Sequence, residues 1–262
     1  MAARAIWKGV VKIGTLDVPV KLYSAVQDHT VRFRLLHRTD QEPVKQKLVS
    51  AESGEPVEYA EVTKAVPIAR GRLVKLEKEE LEELEPEDSR DITITRFVNP
   101  DAIDHRWYER AYYLGPDGNV KNYFAAAAAL EKKNKEGVAK WVMRDKAYVG
   151  ALRARDGYLM LVTLRHAEEI IASESLEPPA GRELAKREVD MAGQLLGALA
   201  GTFDPAEFRD EYRARVLELV ETKAAGKKPK VVAFRAKKQK DDELAGALEK
   251  SLAGMKKGKA RG

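Results

Sequence analysis

Asp156-Gly157 stands between two runs, 147–154 and 158–165, that are rich in β-branched, aromatic and aliphatic residues. A two-residue Asp-Gly connection fits a type I′ turn, whose backbone twist matches that of paired strands, so the runs are expected to form a hairpin. Residues 139–144 supply a third candidate strand just before it. From Leu159 to Leu164 nearly every residue is apolar, which predicts a strand covered on both faces. The first half reads the same way. Stretches 5–14 and 18–26 are short and β-branched, and Pro19 suits the start of a strand. Residues 30–38 set Val31, Phe33 and Leu35 against Arg32, Arg34 and Leu36, the half-buried strand pattern, and residues 90–98 set Ile92, Ile94 and Arg96 against Thr93, Thr95 and Phe97. Residues 71–88 begin as a strand and turn into a short acidic helix ended before Pro86, and residues 110–120 read as a strand followed by a Pro-Asp-Gly turn. Many short strands with few helices favour a barrel over a parallel α/β sheet.

Helices are expected in three places. Residues 120–134 are alanine-rich, the composition with the best intrinsic propensity. Past Pro178-Pro179 the pattern turns helical, with Leu184, Met191, Leu195 and Leu199 on one stripe. In 203–223, Asp204 is placed as N-cap, Pro205 at the first helical position and Glu207 three residues beyond the cap. Phe208, Tyr212, Val216 and Leu219 then line one face, Glu211 pairs with Arg215, Gly226 ends the helix and Pro229 prevents its resumption. The expected organisation is a β-rich α+β domain over 1–180, a helical region over 181–225 and a basic low-complexity tail over 226–262.

Charge separates this tail from the rest. From Lys223 onward there are 13 Lys or Arg against 4 Asp or Glu, a net of +9. The whole chain carries 47 basic and 42 acidic residues, so 34 and 38 remain before the tail, a net of −4. A mildly acidic body with a strongly basic arm points to a polyanion, either nucleic acid or an anionic membrane. The tail is expected to be disordered, with a short helix where Leu244, Leu248 and Leu252 recur. The chain has no Cys, which excludes disulfides and thiolate metal sites and favours a reducing, intracellular setting. The N-terminus lacks the apolar core of a signal peptide, and no run approaches the roughly 20 apolar residues of a membrane span. A soluble, cytoplasmic, nucleoid-associated protein is expected.

Motifs for catalysis are missing. His29, His37, His105 and His166 stand apart without metal-binding spacing, which predicts no metal site. There is no Walker A sequence and no G-x-S-x-G elbow. The acidic run 77–88 reads as a solvated helix face. These absences predict neither enzymatic activity nor a cofactor. The basic residues of the body are the better lead. Arg32, Arg34, Lys45, Lys47, Lys64, Arg70, Arg72, Arg144, Lys146, Arg153 and Arg155 could line one surface of a sheet as a track for phosphates. The alternative is ordinary surface Lys and Arg balanced by nearby acids. Aromatic residues are not interleaved as in a single-strand stacking platform, and no base-reading motif occurs, so backbone contact to duplex is favoured.

Taken together, the blocks RAIWKG, VPVKLYSA, VRFRLLHR, YAEVTKA, GRLVKLEKEELEEL, ALRARDG and FDPAEFRDEYRARVLELVETK resemble bacterial Ku, in order from Arg4 to about Lys223. The resemblance implies a Ku-type β-barrel core with a bridging insertion. Two copies would form a homodimeric ring on a double-stranded DNA end, binding without sequence preference and recruiting the ATP-dependent DNA ligase of non-homologous end joining. A body of about 220 residues has a radius of gyration near 17 Å, comparable to the width of a duplex, so two copies rather than one could surround DNA. Residues 59–76 match the region where the bridge meets the barrel, which makes Lys64, Arg70 and Arg72 candidates for the DNA-facing surface. Residues 142–157 match the other side of the bridge and bring in Arg144, Lys146, Arg153 and Arg155. In the tail, Lys227, Lys228, Lys230, Arg235, Lys237, Lys238 and Lys240 are expected on phosphates. Residues 203–223 match the block implicated in ligase recruitment, with Phe208, Tyr212, Arg213 and Leu217 as candidate contacts. Many relatives carry Cys-x-x-Cys where this chain has Ser50-Ala51-Glu52-Ser53, a poor zinc ligand set. The competing reading is a general architectural duplex-binding protein whose tail dominates binding; an enzyme with an unrecognised site is a third.

Overall fold

The computed structural model describes residues 4–176 and 185–227, at Arg70 the backbone alone. The chain divides into two compact units, 1–29 with 33–175, and 30–32 with 176–262. In chain order the first unit contains β1 (Trp7–Ile13), β2 (Leu16–Ser24), β3 (Lys64–Pro67), β4 (Leu73–Leu76), the short helix α1 (Lys78–Glu82), β5 (Asp91–Val98), β6 (Tyr108–Pro116), α2 (Val120–Lys133), β7 (Glu136–Met143), β8 (Lys146–Arg155) and β9 (Tyr158–Leu164). The second contains α3 (Lys186–Leu199) and α4 (Glu211–Ala224).

Seven strands close a barrel in the order β1-β2-β6-β9-β8-β7-β5. Every pair is antiparallel except the last, where β5 runs parallel to β1 with Val10 opposite Asp91 and Val11 opposite Ile92. Tight turns join three of the antiparallel pairs, β1–β2, β7–β8 and β8–β9. Asp156 and Gly157 both have positive φ, 54° and 77°, as a type I′ turn requires. Arg144 and Asp145, at 53° and 61°, make a second such turn between β7 and β8 without a glycine. Alternate residues point inward, and Val11, Val20, Leu22, Ile92, Leu114 and Leu161 are fully buried. The apolar run in β9 is covered on both sides: Leu159 and Leu161 lie in the core, and Val162, on the other face, is also buried.

Helix α2 packs against β2, β8 and β9. Its start is capped by Asn119, whose Oδ1 accepts from the N–H of Asn122 at 3.1 Å, and it stops at Asn134 in the left-handed region, φ 47°. Buried Tyr123 donates its hydroxyl to the carbonyl of Leu114 in β6 and accepts the N–H of Leu159 in β9 at 3.0 Å. The helix is therefore tied to the barrel by hydrogen bonds as well as by its small alanines.

Two glycines make room for tryptophans. Trp141 on β7 is buried and stacks on Tyr148 across the strand pair, ring centroids 5.3 Å apart. The same indole lies over Gly150, where an added Cβ would stand 2.7 Å from the ring and 2.7 Å from the carbonyl oxygen of Val162. Trp7 lies over Gly9 in the same manner, with the Arg90 carbonyl oxygen 2.7 Å from the position of a Cβ. Neither strand can carry a side chain there.

Residues 25–90 leave the barrel after β2 and return as β5, contributing no barrel strand. Within this insertion β3 and β4 form a separate two-stranded sheet, turned through Gly71 at φ 73°. Two smaller turns are each closed by one bridge, Leu36 to Pro43 and Val49 to Pro56. The strand expected over 30–38 does not form. Phe33 and Leu35 are 68% and 65% exposed, and the alternation finds no partner strand beyond the Leu36 bridge. The helix expected from Pro205 is also corrected. Asp204 accepts from the N–H of Ala206 at 2.9 Å, but the turn Pro205–Glu207 is a 3-10 turn, and α4 begins only after Asp210, whose Oδ1 accepts from Arg213 at 2.8 Å. Phe208 thus lies outside the helix, while the Glu211–Arg215 pair forms at 3.0 Å and Gly226, φ 71°, follows the last turn. On α3 the stripe is buried at Met191 and half-buried at Leu195, with Leu199 exposed; Leu184, Pro229 and the basic tail from Lys228 lie outside the described residues.

Replacing Gly150 by Ala should destabilise the barrel by about 1–3 kcal/mol, the usual cost of overpacking. Urea denaturation of the two proteins reads this as a lower midpoint at unchanged slope, and an unchanged midpoint would show that Trp141 can move aside.

Candidate nucleic-acid interface

Where the cations sit depends on whether an acid meets them. Three lysines on the barrel wall are met. Lys8 and Lys21 both bind Asp117, at 3.0 and 2.8 Å, and Lys12 binds Asp91 at 3.1 Å. The hydrogen bond to Asp117 holds Lys21 above the usual lysine range, Lys21 and then Lys8 hold Asp117 below the usual carboxylate range, and Asp91 holds Lys12 above the lysine range. Such pairs gain little by exchanging their partner for a phosphate.

The insertion is different. Arg34, Lys45, Lys47, Lys64 and Arg72 are exposed and make no ion pair with any described residue. Lys64 opens β3, Arg72 immediately precedes β4, and Arg70 sits in the 3-10 turn Ala69–Gly71 that joins them, so the hairpin brings three candidate cations together on one small sheet and its turn. Arg34 stands on an extended segment rather than on a sheet; Arg32, also exposed, belongs to the other compact unit. Charge is segregated along the insertion. Residues 30–76 hold nine basic and six acidic residues, whereas 77–88 hold one and eight. A polyanion would meet the first segment and be repelled by α1 and its flanks.

The turn containing Ser50 and Ser53 is held without thiolates. Ser50 accepts from the backbone N–H groups of Glu52 and Ser53 at 3.4 and 3.3 Å, and Ser53 accepts from Glu55 at 3.3 Å. In the neighbouring turn His37 Nδ1 lies 2.8 Å from Asp40, whose carboxyl is held below its usual range first by the Glu42 N–H and then by His37. Among the described residues no group of three or more His, Asp or Glu could hold a metal ion.

The structure separates Arg144, Lys146, Arg153 and Arg155 into two places. Residues 142–157 form the end of β7, β8 and the turns on either side of it. Arg144 lies in the β7–β8 turn and Lys146 opens β8, both exposed and without an ion pair to a described residue. Arg153 and Arg155 lie toward the other end of β8, about 23–30 Å from Lys146 at 3.3–3.4 Å per residue. The four cations thus stand at the two ends of one strand. Lys227 follows α4 and is exposed; Lys228, Lys230, Arg235, Lys237, Lys238 and Lys240 lie outside the described residues. Tyr212 and Leu217 on α4 are exposed, as is Phe208 before it, and Arg213 is half-buried.

Arg153 has a partner that sequence reasoning does not supply. Its Nε donates to Glu136 Oε1 at 2.8 Å and its Nη2 donates to the same oxygen, while Tyr108 donates its hydroxyl to Glu136 Oε2 at 2.6 Å. The guanidinium also lies 5.7 Å above the Tyr108 ring. Glu136 is 1% exposed, so this carboxylate persists inside the wall only because both its oxygens are engaged. Nothing in the spacing of Tyr108, Glu136 and Arg153 signals the cluster, because the barrel register alone assembles it. Burial, followed by the hydrogen bond to Glu136, pushes the Tyr108 hydroxyl up to about 12. Its folded pKa lies above the free value of 10, so its contribution to stability is present below about pH 10 and is lost as pH rises toward 12. Tyr108→Phe should therefore flatten the alkaline fall in thermal stability relative to the parent. Melting curves across that range test this, and parallel curves would refute the assignment.

Comparison with known proteins places this architecture. The chain matches the family model described as the Ku70/Ku80 beta-barrel domain over residues 12–191. It is 35% identical over 253 residues to non-homologous end joining protein Ku 2 of Geotalea uraniireducens (strain Rf4), covering 96% of this chain and 98% of that one. It is 37% identical over 257 residues to non-homologous end joining protein Ku of Anaeromyxobacter sp. (strain K), covering 97% and 87%. With the Ku protein of Archaeoglobus fulgidus the identity is 32% over 257 residues, covering 97% and 100%. A family match that covers six of the seven barrel strands whole and the end of β1, and relatives aligned over almost the whole chain, agree: the chain belongs to the Ku family.

Proposed function

We propose that this chain binds double-stranded DNA ends without sequence preference as a ring-shaped homodimer, and that it recruits and stimulates an ATP-dependent DNA ligase in non-homologous end joining. The observation that carries the reading is the insertion. It presents Arg34, Lys45, Lys47, Lys64 and Arg72 without an acidic partner among the described residues, alongside exposed Phe33, Leu35, Leu48, Val49, Val66 and Leu73. A segment with so little core of its own gains stability by laying its apolar side chains on a second copy. Its free cations then remain for phosphates, and encirclement selects ends by topology, with no need to read bases. The names of the relatives support the pathway. Among the described residues no helix is long and apolar enough to cross a membrane. The protein would then act at the nucleoid.

The basic tail adds affinity in this reading, whereas in the architectural alternative it dominates binding. Two measurements separate them. The full chain should sediment at twice its 29.2 kDa mass and bind linear duplex in preference to relaxed closed circles of equal length. Equal binding to both forms would sink the ring. Removing residues 223–262 should weaken binding and lower the salt slope by about 0.9 for each phosphate no longer neutralised, with end preference retained. Neutralising Lys45, Lys47, Lys64 and Arg72 to Gln should lower the slope by roughly the same 0.9 per phosphate with the tail still in place. A slope unmoved by the four substitutions would assign phosphate binding elsewhere.

A further inference from the structure

Beside α2 the barrel carries an apolar groove of about 440 Å³, lined by Ile13, Leu16, Phe97 and Ala129 and bordered by Lys133 and Lys135. Alanine has no side chain long enough to cover these neighbours, so the face stays open, with Ala129 exposed and Phe97 46% exposed. The charge at the border is not neutralised. Lys133 makes no ion pair with a described residue, and Lys135 donates to Asn99 Oδ1, a neutral acceptor. An apolar groove with a cationic end suits a short amphipathic helix that has an acidic end.

The chain contains such a segment beyond the described residues. Residues 228–240 hold six Lys or Arg and no acid, whereas all four acids of residues 223–262, Asp241, Asp242, Glu243 and Glu249, fall within nine positions. In 241–255, Leu244, Leu248, Leu252 and Met255 recur at helical spacing, and three of the acids stand at the N-terminal end, where the helix dipole favours them. Phosphates give no reason for this block, because acids are repelled by them and leucines find no partner along a duplex backbone. A helix this short is marginal in water unless its apolar stripe is covered.

We propose that residues 241–255 dock as a helix in the groove beside α2, with the leucine stripe on its apolar lining and the acidic end toward Lys133 and Lys135. The intervening residues 228–240 reach roughly 45 Å when extended, comparable to the width of a body whose radius of gyration is near 17 Å. A linker of that length holds the segment at an effective concentration of order millimolar, so weak docking is enough to populate the contact. The six cations between are then carried on a loop closed at both ends, which loses less freedom on meeting a polyanion than a free arm does. This contact goes beyond the DNA and ligase readings above and does not depend on either.

The chain has no cysteine, so an introduced pair reports the contact without background. In the full chain, Ala129→Cys with Leu248→Cys should oxidise to an intramolecular crosslink about tenfold faster than Arg144→Cys with Leu248→Cys. Arg144 is the comparison because it lies about 23 Å along β7 from Gly137, the residue paired with Phe97. A second measurement needs no cysteine. Hydrogen exchange over residues 243–252 should be about tenfold slower in the parent than in Ala129→Glu, which sets a carboxylate in the groove against the acidic segment. The new carboxylate is exposed on α2 and faces Lys133 one turn on, so the helix tolerates it. Equal oxidation of the two pairs, or equal exchange in parent and variant, overturns the docking. Crosslinks found only between chains make the occupant a second copy and overturn it as well.

Discussion

The parallel pairing of β5 with β1 is the constraint from which the rest of the molecule follows. Antiparallel neighbours can be joined by two-residue turns, but a parallel neighbour requires the chain to travel back outside the sheet. Here β2 runs against β1 and ends beside its start, while β5 begins part-way along it, with Val10 donating to the Arg90 carbonyl at 2.8 Å. The insertion therefore leaves and re-enters the barrel on either side of β1. Its ends are two inter-strand spacings apart, about 10 Å, and offset by a further ~16 Å along β1, because Ser24 falls opposite Ala5 and Asp91 opposite Val10. A long excursion can be accommodated there without disturbing the core.

The core itself is conventional in its physics and specific in two details. Trp7 and Trp141 each need a glycine beneath the indole, and the Glu136 carboxylate needs both Arg153 and Tyr108. These demands fix register as well as stability. Sliding β7 against β8 by one residue would set Trp141 away from Gly150 and would move Glu136 off Arg153. A buried ion pair contributes little net energy, but its cost when mismatched is high, so it discriminates between registers more than it stabilises.

What the sequence reveals follows from how local each signal is. The Asp156-Gly157 turn, the alanine-rich α2, the alternation around Ile92 and the Glu211–Arg215 pair depend on neighbours a few residues away, and all appear in the structure. The 30–38 strand does not form because alternation says only that a strand is possible, whereas a strand exists when a partner edge is present. The Arg144-Asp145 turn gives no sequence signal because it lacks glycine, and both residues enter the left-handed region without one. By sequence Arg153 resembles its basic neighbours; only the pairing across β7 and β8 shows that its charge is committed to Glu136. The family blocks identify the architecture, but they do not separate neutralised cations such as Lys21 from those on the insertion, because that difference depends on which acids the fold brings near.

This anchoring also has a mechanical meaning. A strap anchored on the two strands that flank β1 transmits any pull along β2 and β5, nearly parallel to their axes. The ladder bonds that flank β1 lie across that direction, so load is shared among many of them at once in shear instead of opening them one at a time like a zip. A loop dragged along or off a duplex would deform before the barrel that anchors it. Ser24 and Asp91, the two points where the strap meets the wall, are where that load enters the ladder.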